Sequence, residues 1–177
     1  MAVLAGDAWR CRAMIAVRDA GPPGAWIGAG FVRDAVWDRL HDRAPAPPAG
    51  DVDVLWHAPG EGAARDADAQ AALGAACPGV DWSVKNQARM HARNGDAPYR
   101  DMADAMCHWP ETATAVAVRI DSAGVVEVAA PCGLDDLFAL LVRPTARFAV
   151  EKRAIFDARV TGKAWLARYP RLRIVAA

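Results

Sequence analysis

Long apolar runs are missing from this chain: none approaches the roughly 18 consecutive residues that a membrane-crossing helix needs. An excess of either charge is missing too, since 21 Lys and Arg face 21 Asp and Glu and the formal net charge is zero. Without a global basic field, bulk nucleic-acid binding loses its electrostatic drive. Clustered cysteines are also absent. Cys11, Cys77, Cys107 and Cys132 are scattered and form no C-x-x-C pair, so the spacing of a zinc site is not there. They read as reduced, partly buried thiols. The N-terminus, Met-Ala-Val-Leu-Ala-Gly-Asp, lacks the basic start and long apolar stretch of a signal peptide. The expected location is therefore cytoplasmic. What is present, 54% apolar and 24% charged residues over 177 positions, is the profile of a soluble globular protein, read as one domain spanning 1–177.

Local pattern predicts an alternation of helices and short strands. Residues 7–19 read as a helix with Asp7 at its N-cap, stopped by Gly21-Pro22-Pro23-Gly24. Ala25-Trp26-Ile27 is a short strand running into a glycine turn, and Phe31 to Leu40 a helix. A proline-rich loop, His41 to Gly50, leads to a strand over Asp51 to Trp56. Glu61 to Ala76 is alanine-rich and helical, and Val80 to Val84 a further strand. Lys85 to Arg93 fits either an extension of that strand or a helix. Tyr99 to Trp109 reads as a helix. Thr114 to Ile120 and Val125 to Ala129 flank Asp121-Ser122-Ala123-Gly124 as a hairpin. A short helix over Leu134 to Leu141 and a closing helix over Val150 to Tyr169 complete the pattern. The fold class is α/β (α+β), a small mixed sheet flanked by helices.

The chemistry concentrates at Gly28-Ala29-Gly30-Phe31-Val32-Arg33-Asp34 and Asp51-Val52-Asp53-Val54. A glycine turn between strand and helix lets backbone N–H groups approach a phosphate, because no Cβ stands in the way. Residues i and i+2 of a strand share a face, so Asp51 and Asp53 converge. Carboxylates on adjacent strands are the usual scaffold for divalent ions around a transferring nucleotide. Mg2+, or Mn2+, takes a few of them and completes its shell with water and substrate phosphates. Glu127, inside the apolar strand Val125 to Ala129, has two readings: a third ligand, or an edge-strand residue facing solvent. Asp81 is its rival. Lys85, Asn86, Arg89 and His91 read either as triphosphate and base ligands or as a polar network tying a loop to the sheet. Arg33 either faces phosphate or pairs with Asp34 to fix the turn. His41, His57 and His108 have no partners at ligand spacing and read as surface residues.

Gly30-Phe31-Val32-Arg33-Asp34 resembles the G-x-V-R-D turn of the polymerase-β-like nucleotidyltransferase superfamily, best known in tRNA CCA-adding enzymes and bacterial poly(A) polymerases. There the turn precedes a strand carrying two aspartates around an apolar residue, which Asp51-Val52-Asp53 matches, and a third carboxylate follows on a later strand, for which Val126-Glu127-Val128 fits in order and context. A closer resemblance spans almost the whole chain. Trp26 to Arg33, Val84 to His91, Trp109 to Val116 and Gly133 to Phe138 look like one bacterial family of small nucleotidyltransferases whose substrate is not established. One departure stands out: the superfamily usually places Gly-Gly or Gly-Ser where this chain has Ala29-Gly30.

The resemblance implies transfer of a nucleoside monophosphate from an NTP to an acceptor by a two-metal mechanism. Asp51, Asp53 and Glu127 would be the metal ligands, and Gly28, Gly30, Arg33, Lys85, Asn86 and Arg89 would bind nucleotide. A small-molecule or protein acceptor is expected rather than a long polynucleotide, and no membrane. The alternative is a non-catalytic nucleotide-binding or interaction module that keeps the fold.

Overall fold

The computed structural model describes Leu4 and residues 6–175. Its centre is a five-stranded mixed sheet built from β1 (Trp26–Gly28), β2 (Val52–Trp56), β3 (Trp82–Asn86), β4 (Ala117–Ile120) and β5 (Val126–Ala129), in the spatial order β3-β2-β1-β4-β5. β2 and β3 run parallel, and every other pairing is antiparallel. The parallel pair needs a crossover, which α3 (Ala63–Ala76) supplies.

Strand alternation divides the sheet into two faces. Ile27, Val54, Val84 and Val118 point to one face and bury completely, beneath α1 (Ala8–Ala20), which contributes Met14 and Val17, and α3, which contributes Leu73. Asp7 caps α1 as expected, accepting hydrogen bonds from the Trp9 and Arg10 amides at 3.0 and 3.1 Å. The other face carries Asp53 and Leu55 of β2, Lys85 of β3, Trp26 and Gly28 of β1, Ala117 and Arg119 of β4, and Glu127 of β5. It is only partly covered, by Met106 of α5 (Met102–Cys107) and by Trp109. This half-open face holds the cavity described below.

α2 (Gly30–Leu40) is buried on nearly all sides, from Phe31 through Asp38. Its charges are matched from the C-terminal part of the chain: Arg168 reaches Asp34 at 3.3 Å, and the Tyr169 hydroxyl donates to Asp38 at 3.1 Å. Trp165 and Tyr169 meet the Trp37 ring edge-on at 5.8 and 5.3 Å.

Most expected elements appear within a few residues of their predicted ends. The ambiguous Lys85 to Arg93 stretch is both things, strand to Asn86 and then α4 (Gln87–Asn94). The short helix predicted over Leu134 to Leu141 is α6 (Asp135–Phe138). The predicted closing helix is a broken series: α7 (Ala146–Ala149), α8 (Arg153–Lys163) and α9 (Trp165–Arg168), with Ala164 at φ 48° forcing the last break. A two-stranded parallel pair, β6 (Leu141–Val142) with β7 (Arg173–Ile174), has no signal in the pattern, since two-residue strands are too short to alternate. Among the described residues no helix is long and apolar enough to cross a membrane.

Candidate active site

The half-open face bears a cavity of about 810 Å³, bounded by the β1–α2 turn at Ala29, β2 at Asp53 and Leu55, β3 at Lys85, α4, the Trp109–Thr114 segment, Phe148 and α8. Its walls are of two kinds. Met90, Trp109, Phe148 and Ile155 form an apolar side, while Asp53, Lys85, Arg93, Lys152 and Arg159 bring charge. A volume of this size is in the range of ordinary small-molecule sites.

Asp53 is the carboxylate of this cavity. Among the described residues its side chain has no salt bridge and no hydrogen bond, and burial pushes its carboxyl up to about 6, with the neighbouring Asp51 charge adding to the shift. Arg159, Arg33 and Lys163 partly offset that rise. Asp51 is exposed at the foot of β2, close enough for its charge to be felt. A half-buried acid with no cation bonded to it and a second acid two residues away is a donor set short of positive charge. That suits a hard divalent ion that takes one or two carboxylates and fills its shell from substrate and water. No group of three or more His, Cys, Asp or Glu able to hold a metal occurs among the described residues.

The turn next to Asp53 is strained. Ala29 sits at φ 53°, ψ −124°, a region glycine favours, at a cost of about 1–3 kcal/mol. Its neighbours hold it there: its amide donates to the Val116 carbonyl at 3.0 Å, and its carbonyl accepts from the Val32 and Arg33 amides at 3.2 and 2.9 Å. No side chain caps α2, so the Gly30 and Phe31 amides at its start have no protein acceptor among the described residues. A helix N-terminus with unused N–H groups beside a cavity is suited to anions.

The two glycines differ in what they do. A Cβ on Gly28 would stand 2.7 Å from Leu55 Cδ1, 3.2 Å from Trp109 Cη2 and 3.3 Å from the Val116 carbonyl. Packing under the cavity floor thus favours glycine at position 28. A Cβ on Gly30 would meet nothing closer than Arg33 Nη2 at 3.4 Å, an ordinary contact, and Gly30 does not have positive φ. Neither its own packing nor its backbone demands glycine there.

Several other expected ligands are engaged elsewhere. Arg33 is buried, donates twice to Asp34 Oδ1 at 3.0 and 2.7 Å and once to Thr114 at 3.1 Å, and stacks over Trp165. It locks the turn, and only its charge is felt at Asp53. Asn86 is fully buried; its amide oxygen accepts from Ala58 and Ala88, and its amide nitrogen donates to the Ala58 carbonyl at 2.8 Å. It ties a loop to β3 and caps α4. Arg89 is turned to α3 in a salt bridge with Asp66, which also accepts from Trp56 Nε1. Asn86 and Arg89 are thus bonded within the polar framework, while Lys85 stays on the cavity wall with no ion pair among the described residues.

Glu127 is not brought to Asp53. β2 and β5 are three strand steps apart, on the order of 14 Å at about 4.8 Å per step. Glu127 instead bonds Arg119 at 2.5 Å across the β4–β5 ladder, with the Arg119 guanidinium 4.5 Å over the Trp26 ring. Its charge is matched locally, so the strand tolerates it without a metal. Asp81 flanks β3, next to β2; it is exposed, and its carbonyl accepts the Val52 amide at 2.7 Å.

Other groups emerge that the motif search passed over. His108 lines the cavity, and His41 is buried between the Trp37 carbonyl and the Arg171 amide, so neither is a simple surface residue. Lys152, Ile155 and Arg159 all face the cavity from the C-terminal helices; their 3- and 4-residue spacing was the available signal.

A model of the nucleotidyltransferase family matches residues 16–174. Among solved structures, the chain is similar to one whose NMR structure is described as revealing a CCA-adding enzyme head domain, at 28% sequence identity and a TM-score of 0.86, over 99% of this chain and 95% of that one. No curated protein matches.

Proposed function

The chain belongs to the nucleotidyltransferase family, and from that premise we propose that the Asp53 cavity binds a nucleoside triphosphate and transfers its nucleoside monophosphate to an acceptor. The observation that carries this reading is Asp53 itself: a carboxylate with no partner among the described residues, held beside an uncapped helix start in a cavity where Lys85 and Arg93 form no ion pair among the described residues. The acceptor oxygen forms a bond to the α-phosphorus, the bond from that phosphorus to the β-phosphate oxygen breaks, and pyrophosphate leaves with the electron pair.

The residues divide this work. The Gly30 and Phe31 amides hold phosphate oxygens, and Lys85 adds a point charge from β3. Base and sugar lie along Trp109, Phe148, Met90 and Ile155. Asp51 and Asp53 are the side chains that would hold Mg2+ or Mn2+, and the two-metal scheme is kept with these carboxylates, the remaining positions falling to phosphates and water. A divalent ion there would supply charge neutralisation on the phosphates and acidification of the acceptor hydroxyl. Asp53 would either lie between the ions or take the proton of the acceptor hydroxyl. The balanced net charge favours a small-molecule or protein acceptor, and the setting we assign is the cytoplasm.

The test is transfer of α-labelled nucleotide from each common NTP into small-molecule and macromolecular fractions of a cell extract, with and without Mg2+. We expect metal-dependent labelling that disappears when Asp51 and Asp53 are both changed to Asn. Labelling that survives the double change would overturn the site. Absence of triphosphate binding at millimolar ligand would favour the non-catalytic module instead.

A further inference from the structure

Glu111 and Arg159 form a pair that packing alone does not explain. Glu111 is 1% exposed, and its Oε1 accepts a hydrogen bond from Arg159 Nε at 2.6 Å. Its other oxygen has no partner among the described residues. Where an arginine serves only to neutralise a buried carboxylate, the favoured geometry is two parallel bonds to both oxygens. Here one bond is made, through Nε. Both terminal nitrogens of Arg159 are left without a protein acceptor among the described residues, on the wall shared with Asp53.

The other C-terminal cation of the cavity behaves differently. The Lys152 amine is turned to the Asp96 carboxylate at 2.8 Å and the Asn94 carbonyl at 2.7 Å. Nor is Asp53 the missing partner of Arg159, because no salt bridge joins them among the described residues. Trp165 backs the guanidinium at 5.5 Å. The side chain is thus gripped at its inner nitrogen and on its flat face, with its outer edge unused. That is the arrangement of an arginine held for an anionic ligand.

We propose that Arg159 binds the phosphate chain of the triphosphate, and that Glu111 is a positioning residue that fixes its guanidinium for this purpose. The inference rests on the reading that the cavity takes a nucleoside triphosphate. It places a phosphate ligand on α8, outside the turn and the aspartates, so that α8 and the sheet grip the substrate from opposite sides.

Calorimetry on the full chain with excess Mg2+ tests it, using tripolyphosphate, the common NTPs and the matching nucleosides. Arg159→Ala should weaken tripolyphosphate and NTP binding by roughly 10- to 100-fold, the range of a charged hydrogen-bonding contact, and leave nucleoside binding unchanged. Glu111→Gln should weaken the same two ligands by a smaller factor, about 3- to 10-fold, since the arginine stays but is less firmly oriented. Arg159→Ala strands a buried carboxylate and could unfold the chain, so the neutral pair Glu111→Gln with Arg159→Gln is the second variant; it should reproduce the loss. If the parent binds tripolyphosphate and these variants bind it equally well, Arg159 is no phosphate ligand and the inference falls while the cavity reading stands. If the parent binds neither tripolyphosphate nor any NTP, the cavity reading itself is wrong and the inference falls with it.

Discussion

Two carboxylates lie on the same face of the sheet, three strands apart, in strands with apolar neighbours on either side. At the β5 end, Glu127 is met by Arg119, whose guanidinium rests over Trp26. On β2, Asp53 has no partner among the described residues and its carboxyl is pushed up to about 6. The sequence context of the two is nearly the same, and their electrostatics are opposite. An acid whose charge is matched by the fold contributes at most a modest surface pairing, about 0.2–1 kcal/mol. An acid left unmatched costs stability, and such a cost persists where a ligand is to supply the charge.

The largest expected effect breaks this comparison directly. Asp53→Asn should lower transfer by roughly 1,000-fold or more, on the scale of losing a group acting on the reacting phosphate, whereas Glu127→Gln should change it less than about 3-fold. Equal losses in single-turnover measurements of labelled nucleotide transfer would return Glu127 to the site and sink the contrast. The next effect separates the two glycines. Gly28→Ala drives a Cβ against Leu55 and Trp109 and should cost about 1–3 kcal/mol in denaturant unfolding. Gly30→Ala meets no such contact, so its stability should hold, yet a methyl beside the helix start should weaken triphosphate binding by about 10-fold, or about 1.4 kcal/mol. A stable Gly30→Ala protein with full triphosphate affinity would show that phosphate lies elsewhere.

Much of this end of the molecule was legible beforehand, and for a physical reason. Asp51-Val52-Asp53 declares its common face through strand periodicity, and the turn before α2 declares itself through glycine. Glu127 keeps two readings in the sequence because its compensation comes from the facing strand: only the pairing Arg119↔Glu127 shows the charge to be matched. The two readings of Asn86 and Arg89 stay open in the sequence for a similar reason. Their partners, Ala58 and Asp66, lie 28 and 23 residues away across a crossover. The α8 contribution was hidden by distance along the chain, since nothing near Arg159 in sequence points to Glu111.

A smaller effect concerns pH. In the metal-free chain, the folded Asp53 carboxyl lies near 6, above its unfolded value of about 3.9, so the native state holds the proton more tightly. The stabilising contribution of that proton is fully present below pH ~4 and is lost as pH rises through about 6. Asp53→Asn removes the dependence. We expect the variant to be more stable than the parent by on the order of 1–2 kcal/mol at pH 7.5, with the gap closing at pH 4. Added Mg2+ should narrow the same gap in the parent. A gap that is flat with pH in thermal unfolding would mean that Asp53 is not held uncompensated.

The smallest effect sharpens the contrast in backbone strain. Beside Asp53, Ala29 occupies φ 53°, while in the β4–β5 hairpin the positive-φ position is filled by glycine, Gly124 at φ 82°. Ala29→Gly relieves the strained Cβ but gives the unfolded chain more freedom, and the two terms oppose each other. Because alanine in that region is penalised by more than glycine loses in entropy, the net should be stabilising by about 1 kcal/mol or less. Triphosphate affinity should stay within about 2-fold, since the bonds from Ala29 to Val116, Val32 and Arg33 are all main-chain and survive the change. A stabilised protein with intact affinity would show that the strain is borne only because alanine stands there. A stabilised protein with weakened affinity would show instead that the rigid turn holds the Gly30 and Phe31 amides in place for phosphate, and that the strain belongs to the binding site.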